Sequence, residues 1–307
     1  MSEIKDTIII GNGPAGLTAA IYGLRAGLSV LLITNNPMDG GQIATTYTVD
    51  NYPGLPGVDG SELGMKFREH ANSFGLEALI EGVSSIKKDG DIFSVTTNKG
   101  TYQGKTVIIA CGADHRKLGV PGEKEFTGMG VSYCATCDGA FFRKKIVAVV
   151  GGGDTALGDA IFLSRFAEKV FIIHRRDEFR GAKILVDQIK ANDKIEIIYD
   201  SVVDEVVGVN EMVDHLMVRN VKSNEVTELK VNGVFMAVGI TPNIGNLTGL
   251  PDQDDTGYIK AGEDCITSIP GIFAAGDIRT KQLRQVVTAA ADGANAITSV
   301  QSYLQNK

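Results

Sequence analysis

The sequence predicts an α/β fold of two Rossmann-like, three-layer dinucleotide-binding domains, the second inserted into the first. Two observations predict it. A glycine-rich turn between an apolar strand and a helix occurs twice, and the last segment has strand and helix patterns but no such turn of its own.

In the first copy, residues 7–10 form an apolar run, Gly11, Gly13, Pro14, Ala15 and Gly16 make the turn, 17–26 continue with helical spacing, and 29–33 give the next strand, closed by Thr34. This is the G-x-G-x-x-G dinucleotide fingerprint in the strand–turn–helix setting it requires. Gly11 permits the tight turn, Gly13 lets a pyrophosphate approach the backbone, and Gly16 lets helix and strand pack closely. The helix N-terminus supplies N–H donors and partial positive charge.

In the second copy, 146–150 is the strand, Gly151, Gly153, Asp154, Thr155 and Ala156 belong to the turn, 160–165 lie in the helix, and 170–173 end at His174. The offset from the first glycine to the residue closing the second strand is identical in the two copies, Gly11 to Thr34 and Gly151 to His174. Residues 98–112 read as a strand pair, and 234–239 close the second copy at Gly239 in the same way. The segment from 259 onward reads as a return to complete the first domain. The expected domains are 1–114 and 246–307 for the first and 115–245 for the second, with hinges near 114–120 and 241–247, where Pro and Gly punctuate the chain.

Bulk properties narrow the function. A chain of 307 residues holds two ordinary domains. A hydrophobic fraction of 43% with 22% charged residues is that of a soluble globular protein. The net charge of −7 argues against a nucleic-acid surface. No apolar run approaches the roughly 18 residues that span a bilayer, and the run at 7–10 is too short for a signal-peptide core, so the expected location is the cytoplasm. Four histidines and four cysteines give no support to a metal site.

The nucleotide in the second copy is read at the end of its second strand. His174, Arg175 and Arg176 stand there, with Arg180 at a spacing that would share a helical face with Arg176. Arginine forks suit the 2′-phosphate of NADP(H), and a solvated basic patch is the plainer alternative. The first copy closes on the neutral Thr34, which distinguishes nothing.

Cys134 and Cys137 form a C-x-x-C pair, the spacing of a thiol–disulfide exchange centre. Zinc would require two further ligands that the sequence does not offer, and inert thiols are the remaining alternative. Asp138 follows directly, either as an acid or base for the departing thiolate or as a turn cap before Gly139.

Taken together, these motifs resemble the low-molecular-weight, bacterial-type thioredoxin reductases, over essentially the whole chain. The matching stretches are GNGPAG at 11–16, Gly40-Gly41-Gln42, NYPG from Asn51, CATCDG at 134–139, GGGDTA at 151–156, HRRDEFR at 174–180 and GIFAAGD ending at Asp277, followed by Arg284-Gln285 at the start of the final helix. The resemblance implies FAD in the first domain and NADPH in the inserted one. It implies that Gly41, Gln42 and Asn51 touch the flavin nucleotide and that Asp277, Arg284, Gln285 and Val286 reach its pyrophosphate and ring. It also implies a dithiol on the NADPH domain, domain rotation between half-reactions, a homodimer and thioredoxin as partner. The chain departs from the family at Gly158-Asp159, at Cys111 and at Lys281-Gln282-Leu283. Two alternatives stay within this fold, a flavin oxidase that forms disulfides in a small molecule and a ferredoxin-dependent reductase. Neither requires the arginines of 174–180. A third, from another class, is a non-catalytic redox sensor.

Overall fold

The computed structural model describes residues 3–46 and 48–307. The chain forms two compact units: one runs up to Asp114 and resumes at Thr241–Lys307, and the other is His115–Ile240. The second is thus inserted in the first.

The first unit opens with strand β1 (Lys5–Ile10), helix α1 (Pro14–Arg25) and strand β2 (Val30–Thr34), and α2 (Gly60–Asn72) leads to β3 (Glu77–Ile80). An antiparallel meander follows, β4 (Val83–Asp89), β5 (Ile92–Thr97) and β6 (Thr101–Ile109). The far half of β6 runs parallel to β1, and the chain leaves through β7 (Ala113–His115).

The second unit contains β8 (Val131–Ser132), the one-turn α3 (Ala135–Asp138), β9 (Ile146–Val150), α4 (Asp154–Ser164), β10 (Lys169–Ile173), α5 (Lys183–Lys190) and β11 (Ile195–Ile198). Its own antiparallel meander is β12 (Ser201–Val209), β13 (Met212–Asn220) and β14 (Val226–Lys230), and β15 (Gly233–Met236) returns to the parallel sheet. The chain comes back through β16 (Ile240–Pro242), adds β17 (Ile272–Ala274) beside β6, and ends in α6 (Val286–Gln305).

The two parallel sheets have the same plan. In the first the order is β3-β2-β1-β6-β17, and in the second β11-β10-β9-β15-β8. Each strand that precedes a glycine turn lies in the middle of its sheet, buried on both faces, which is why it reads as an unbroken apolar run. Successive residues of β1 and β2 alternate between two cores: Ile9 and Leu32 pack with Leu17 of α1, while Ile8, Ile10, Leu31 and Ile33 pack with Val107, Ile109 and Ile272. In the second unit Val147, Val149 and Ile172 pack with Leu157 of α4, and Ala148, Val150 and Ile173 face the meander.

Three sequence expectations are corrected here. The stretch 98–112 holds one strand rather than a pair, because Thr97 Oγ1 accepts the Lys99 and Gly100 amides and turns the chain between β5 and β6. Arg176 and Arg180 share no helical face. The chain is irregular until α5 at Lys183, because the Arg180 amide is drawn to the Gly152 carbonyl (2.8 Å). The return to the first unit falls at Ile240/Thr241, not 245/246, since the Asn243 amide bonds the Gly112 carbonyl and Ile244 and Leu247 pack on the first unit's core.

The glycine turn makes two opposite demands on a side chain. A Cβ on Gly16 would run into the Gly11 carbonyl, whereas one on Gly13, at φ −75°, would meet nothing within 4 Å. Gly16→Ala is therefore expected to cost roughly 1–3 kcal/mol of overpacking against rigid backbone. Gly13→Ala gives up only a helix-cap preference, about 1 kcal/mol at most. Calorimetric unfolding without added nucleotide checks this; equal falls in Tm would contradict the packing account.

Candidate active site

In the first unit, Gly11 stands at φ +114° at the end of β1, and a Cβ on it would strike the Ala110 carbonyl at the end of the neighbouring β6. Only glycine tolerates both the conformation and the approach. The next residue does work that sequence reasoning missed. Asn12 is buried, its Nδ2 donates to the Asn36 and Met38 carbonyls (3.1 and 3.0 Å) and to Asp39 Oδ1 (3.1 Å), and its carbonyl accepts the Gly40 amide (3.0 Å). Thr34 Oγ1 donates to Asn12 Oδ1 (2.9 Å). One side chain thus ties the end of β2 and the Gly40-Gly41-Gln42 segment to the fingerprint. A Cβ on Gly41 would lie 3.3 Å from Gly13 Cα, so two glycine backbones face each other there. An x position inside a motif gave no signal for this role.

The other residues expected around the first nucleotide lie in the same unit. Asn51 Nδ2 donates to Gln285 Oε1 (2.9 Å), across 234 positions of sequence. Gln285 caps α6 in a reciprocal capping box with Thr288, and Val286 is the first helical residue. The Arg284 guanidinium lies 4.2 Å from the Tyr258 ring centroid and donates to the Lys281 carbonyl (3.2 Å). Asp277 Oδ1 and Arg284 Nε are buried without a hydrogen-bond partner. Burial pushes the Asp277 carboxyl above its usual range, against the pull of the Lys281 and Arg284 charges. Buried unpaired polar atoms are costly in a finished fold, and among the described residues two of the three, the other being Thr7 Oγ1 in β1, fall on residues singled out from the sequence for binding. Ala15, Pro14 and Gly16 form the first turn of α1.

Beside Asp277 sits a charged group that the sequence reading passed over. Asp292 of α6 accepts from Arg279 through both oxygens (2.8 and 2.7 Å), from Lys281 Nζ (2.9 Å) and from the Gly276 amide (2.9 Å). Burial alone would raise its carboxyl, but the Arg279 and Lys281 hydrogen bonds outweigh it and hold the group below the usual carboxylate range. A lone acid inside an alanine-rich helical run was the available signal.

The second unit repeats the turn. Gly151, at φ +152°, would strike the Ala237 carbonyl with a Cβ, and Gly153 faces open space at the start of α4. Asp154 Oδ1 accepts the Ala182 amide (2.6 Å). With the Arg180 amide on Gly152, this laces the arginine segment to the glycine turn. Thr155 is exposed and Ala156 buried; Gly239, at φ +114°, has no atom within 4 Å of where a Cβ would be. Arg175, Arg176 and Arg180 are solvent-exposed. His174 points the other way. It is buried, its Nε2 lies 2.9 Å from the Glu178 carbonyl, its ring packs on Phe179, and a Cβ on Gly152 would collide with it. It supports the turn from beneath.

Cys134 and Cys137 are joined as a disulfide. Cys134 stands one residue beyond the end of edge strand β8, after Tyr133, and is the cap of α3, where the Cys137 and Asp138 amides bond its carbonyl (3.2 and 3.1 Å). Ser132 Oγ donates to Asp138 Oδ2 (2.6 Å) and accepts the Cys134 amide (3.1 Å), fixing the acid and the first cysteine in one short loop. Burial raises the Asp138 carboxyl, only partly offset by the Ser132 hydrogen bond. A carboxyl so placed can hold a proton nearer neutral pH than an ordinary aspartate. The other cysteines are free. Cys265 is buried and Cys111 half-buried, and desolvation pushes each thiol up to about 12. Among the described residues no group of His, Cys, Asp and Glu could hold a metal ion, and no helix is long and apolar enough to cross a membrane.

Two glycine turns at the carboxyl ends of parallel sheets, with a cystine in the inserted unit, define a two-nucleotide disulfide oxidoreductase. The family model described as pyridine nucleotide-disulphide oxidoreductase matches residues 5–293, and the chain belongs to that family. Membership implies a flavin and a nicotinamide cofactor. The chain is 44% identical over 307 residues to a protein named thioredoxin reductase from Bacillus subtilis (strain 168), covering 99% of this chain and 97% of that one. It is 43% identical to the thioredoxin reductase of Mycolicibacterium smegmatis, with 98% and 97% covered. The crystal structure of thioredoxin reductase from Streptococcus pyogenes MGAS5005 matches with a TM-score of 0.95 at 47% identity over 100% of both chains.

The thiol environments give a direct expectation. After reduction the folded protein should show two fast-reacting thiols with a disulfide reagent at pH 8, from Cys134 and Cys137, and the other two only on unfolding, since the thiolate is the reacting form. Thiol titration with and without denaturant checks it, and fast reaction of a third thiol would contradict the assignment.

Proposed function

We propose that this chain is an FAD-containing, NADPH-dependent thioredoxin-disulfide reductase, passing electrons through Cys134 and Cys137 to the disulfide of thioredoxin or a thioredoxin-like protein. The observation that carries the reading is the cystine held in one short loop with Asp138, whose carboxyl burial raises above its usual range, in the same unit as a glycine turn and three exposed arginines. The names of the full-length relatives support it. The resemblance to the family also supports a homodimer in the cytoplasm.

The first unit fits FAD. Open space at Gly13, the facing backbones of Gly13 and Gly41, and the unpartnered Asp277 and Arg284 atoms offer a cradle and polar groups in wait. Gly11–Gly16 with α1 would take the pyrophosphate, Thr34 would face the ribose side, and Gly40–Gln42, Asn51, Asp277 and Arg284–Val286 would hold the remainder. In the second unit Gly151–Ala156 and Gly239 would hold NADPH, with Arg175, Arg176 and Arg180 on its 2′-phosphate and His174 shaping the turn beneath. Bound there, FAD would supply the two-electron chemistry that links NADPH to the cystine.

Opening the Cys134–Cys137 bond leaves two sulfurs and requires protons. Asp138 is the group that holds and releases one next to them. One thiolate then attacks a sulfur of the partner's disulfide, whose other sulfur leaves as a thiolate, giving a mixed disulfide. The second cysteine attacks its neighbour in that bond, restoring the cystine and freeing the partner's dithiol. A small-molecule oxidase or a ferredoxin-dependent enzyme would have no use for the three arginines.

The serine variants of Cys134 and Cys137 should each lose thioredoxin reduction while NADPH still bleaches the flavin. Stopped-flow absorbance and turnover assays separate the two, and turnover at the wild-type rate in either variant would make the cystine structural.

Replacing Arg175 and Arg176 together with Ala tests the nucleotide. Hydrogen bonds to charged groups contribute roughly 1.5–3 kcal/mol each, and solvent exposure favours the low end. NADPH use should weaken on the order of a hundredfold, mainly in KM, with NADH nearly unaffected. Steady-state kinetics with both nucleotides decide, and an equal loss for the two would leave the arginines a structural role only.

A further inference from the structure

The Asp292 carboxylate is 5% exposed and takes four hydrogen bonds, three of them from two cations and one from the Gly276 amide. The residue that follows it brings α6 onto the nucleotide-binding turn. A Cβ on Gly293 would run into the Ala15 carbonyl and lie 2.8 Å from the Ala19 amide nitrogen. Gly276 abuts the same place, since a Cβ there would lie 2.8 Å from Ala15 Cβ. Residues 292 and 293 thus join α6, the Gly276-Asp277 segment and the first turn of α1. Asp277, one residue beyond the amide that Asp292 grips, keeps a buried oxygen without any partner.

Stability alone does not account for this arrangement. Buried ion pairs are often no better for folding than apolar residues of similar volume, because desolvation offsets the attraction. Their distinctive contribution is geometry: four directional bonds fix where the Gly276–Lys281 loop lies. The loop's backbone is short, with three residues of 3-10 helix at Gly276–Ile278, so anchoring Gly276, Arg279 and Lys281 leaves Asp277 little freedom.

We propose that Asp292 is a positioning residue for the flavin site, which holds the Gly276–Asp277 segment against α1 so that the free Asp277 oxygen is pre-aimed at FAD. It touches neither cofactor nor substrate and acts through the loop. The proposal rests on the FAD reading of the first unit. It also assigns Lys281, one of the departures from the family pattern, to the loop anchor.

The test is FAD affinity of full-length protein stripped of flavin, measured by quenching of flavin fluorescence, with thermal unfolding of the same apoprotein. Asp292→Asn keeps the shape and loses the charge, and it should weaken FAD by about tenfold, the scale of one charged hydrogen bond. Asp277→Asn should weaken it to a similar degree. The double variant should be within about twofold of the weaker single, because residues acting through one contact are not additive. A purely structural Asp292 would instead give additive losses that follow the fall in Tm. Should Asp292→Asn not fold, because Arg279 and Lys281 are left unbalanced, Asp292→Asn with Lys281→Met removes one cation as well and carries the same cycle. Wild-type FAD affinity in the Asp292 variants, or additive losses in the cycle, overturns the proposal. Failure of the wild-type apoprotein to bind FAD overturns the FAD reading instead.

Discussion

The constraint on which both units depend is one close approach, repeated. At the end of each central strand a glycine sits against the carbonyl that ends the neighbouring strand, Gly11 against Ala110 and Gly151 against Ala237. Any side chain would force the strands apart, or the turn away from the helix it must start. Because neither has one, the chain reverses in a single step and the helix N-terminus faces the carboxyl edge of the sheet. That edge is where open α/β sheets bind ligands, and an N-terminus there favours an anion. The same two residues thus set the packing below and shape the edge that the proposed nucleotides would occupy above.

The shared sheet order extends the parallel beyond the turns. The edge strand next to β6 is β17, and the residues just past it are Gly276 and Asp277; the edge strand next to β15 is β8, and just past it come Cys134 and Cys137. In each unit, then, the group with special chemistry lies beyond the carboxyl end of an edge strand, on a short helical turn, with a half-buried acid. The settings differ. Asp138 is held by a neutral hydroxyl, and burial leaves its proton affinity high. Asp277 keeps one buried oxygen without a hydrogen-bond partner, while the nearby carboxylate, Asp292, takes the cations.

Much of this was legible in the sequence because it is periodic or conformationally demanding. Strand β9 falls at Ile146–Val150 as read, an apolar run between a lysine and a glycine that leaves no other boundary. What was not legible depends on side-chain direction. The Arg176–Arg180 spacing looks helical, but the backbone there answers to Gly152 and Asp154, far away in sequence. His174 stands beside two exposed arginines, yet its ring turns inward to the Glu178 carbonyl. Asn12 and Asp292 were missed for a common reason: each is one polar residue within an otherwise predictable pattern, and its partners become neighbours only after the sheet has formed. Asn51 and Gln285, matched by resemblance, do meet.

The central claim is that electrons from NADPH end on a partner's disulfide, through a cystine that is regenerated each cycle. The most direct measurement mixes catalytic protein with NADPH and excess oxidised thioredoxin without oxygen, then counts NADPH consumed against thiols formed on thioredoxin. Two-electron exchange through the cystine predicts two new thiols for each NADPH, over many turnovers. NADPH consumption without matching thiols on thioredoxin, or a single turnover and no more, would contradict it.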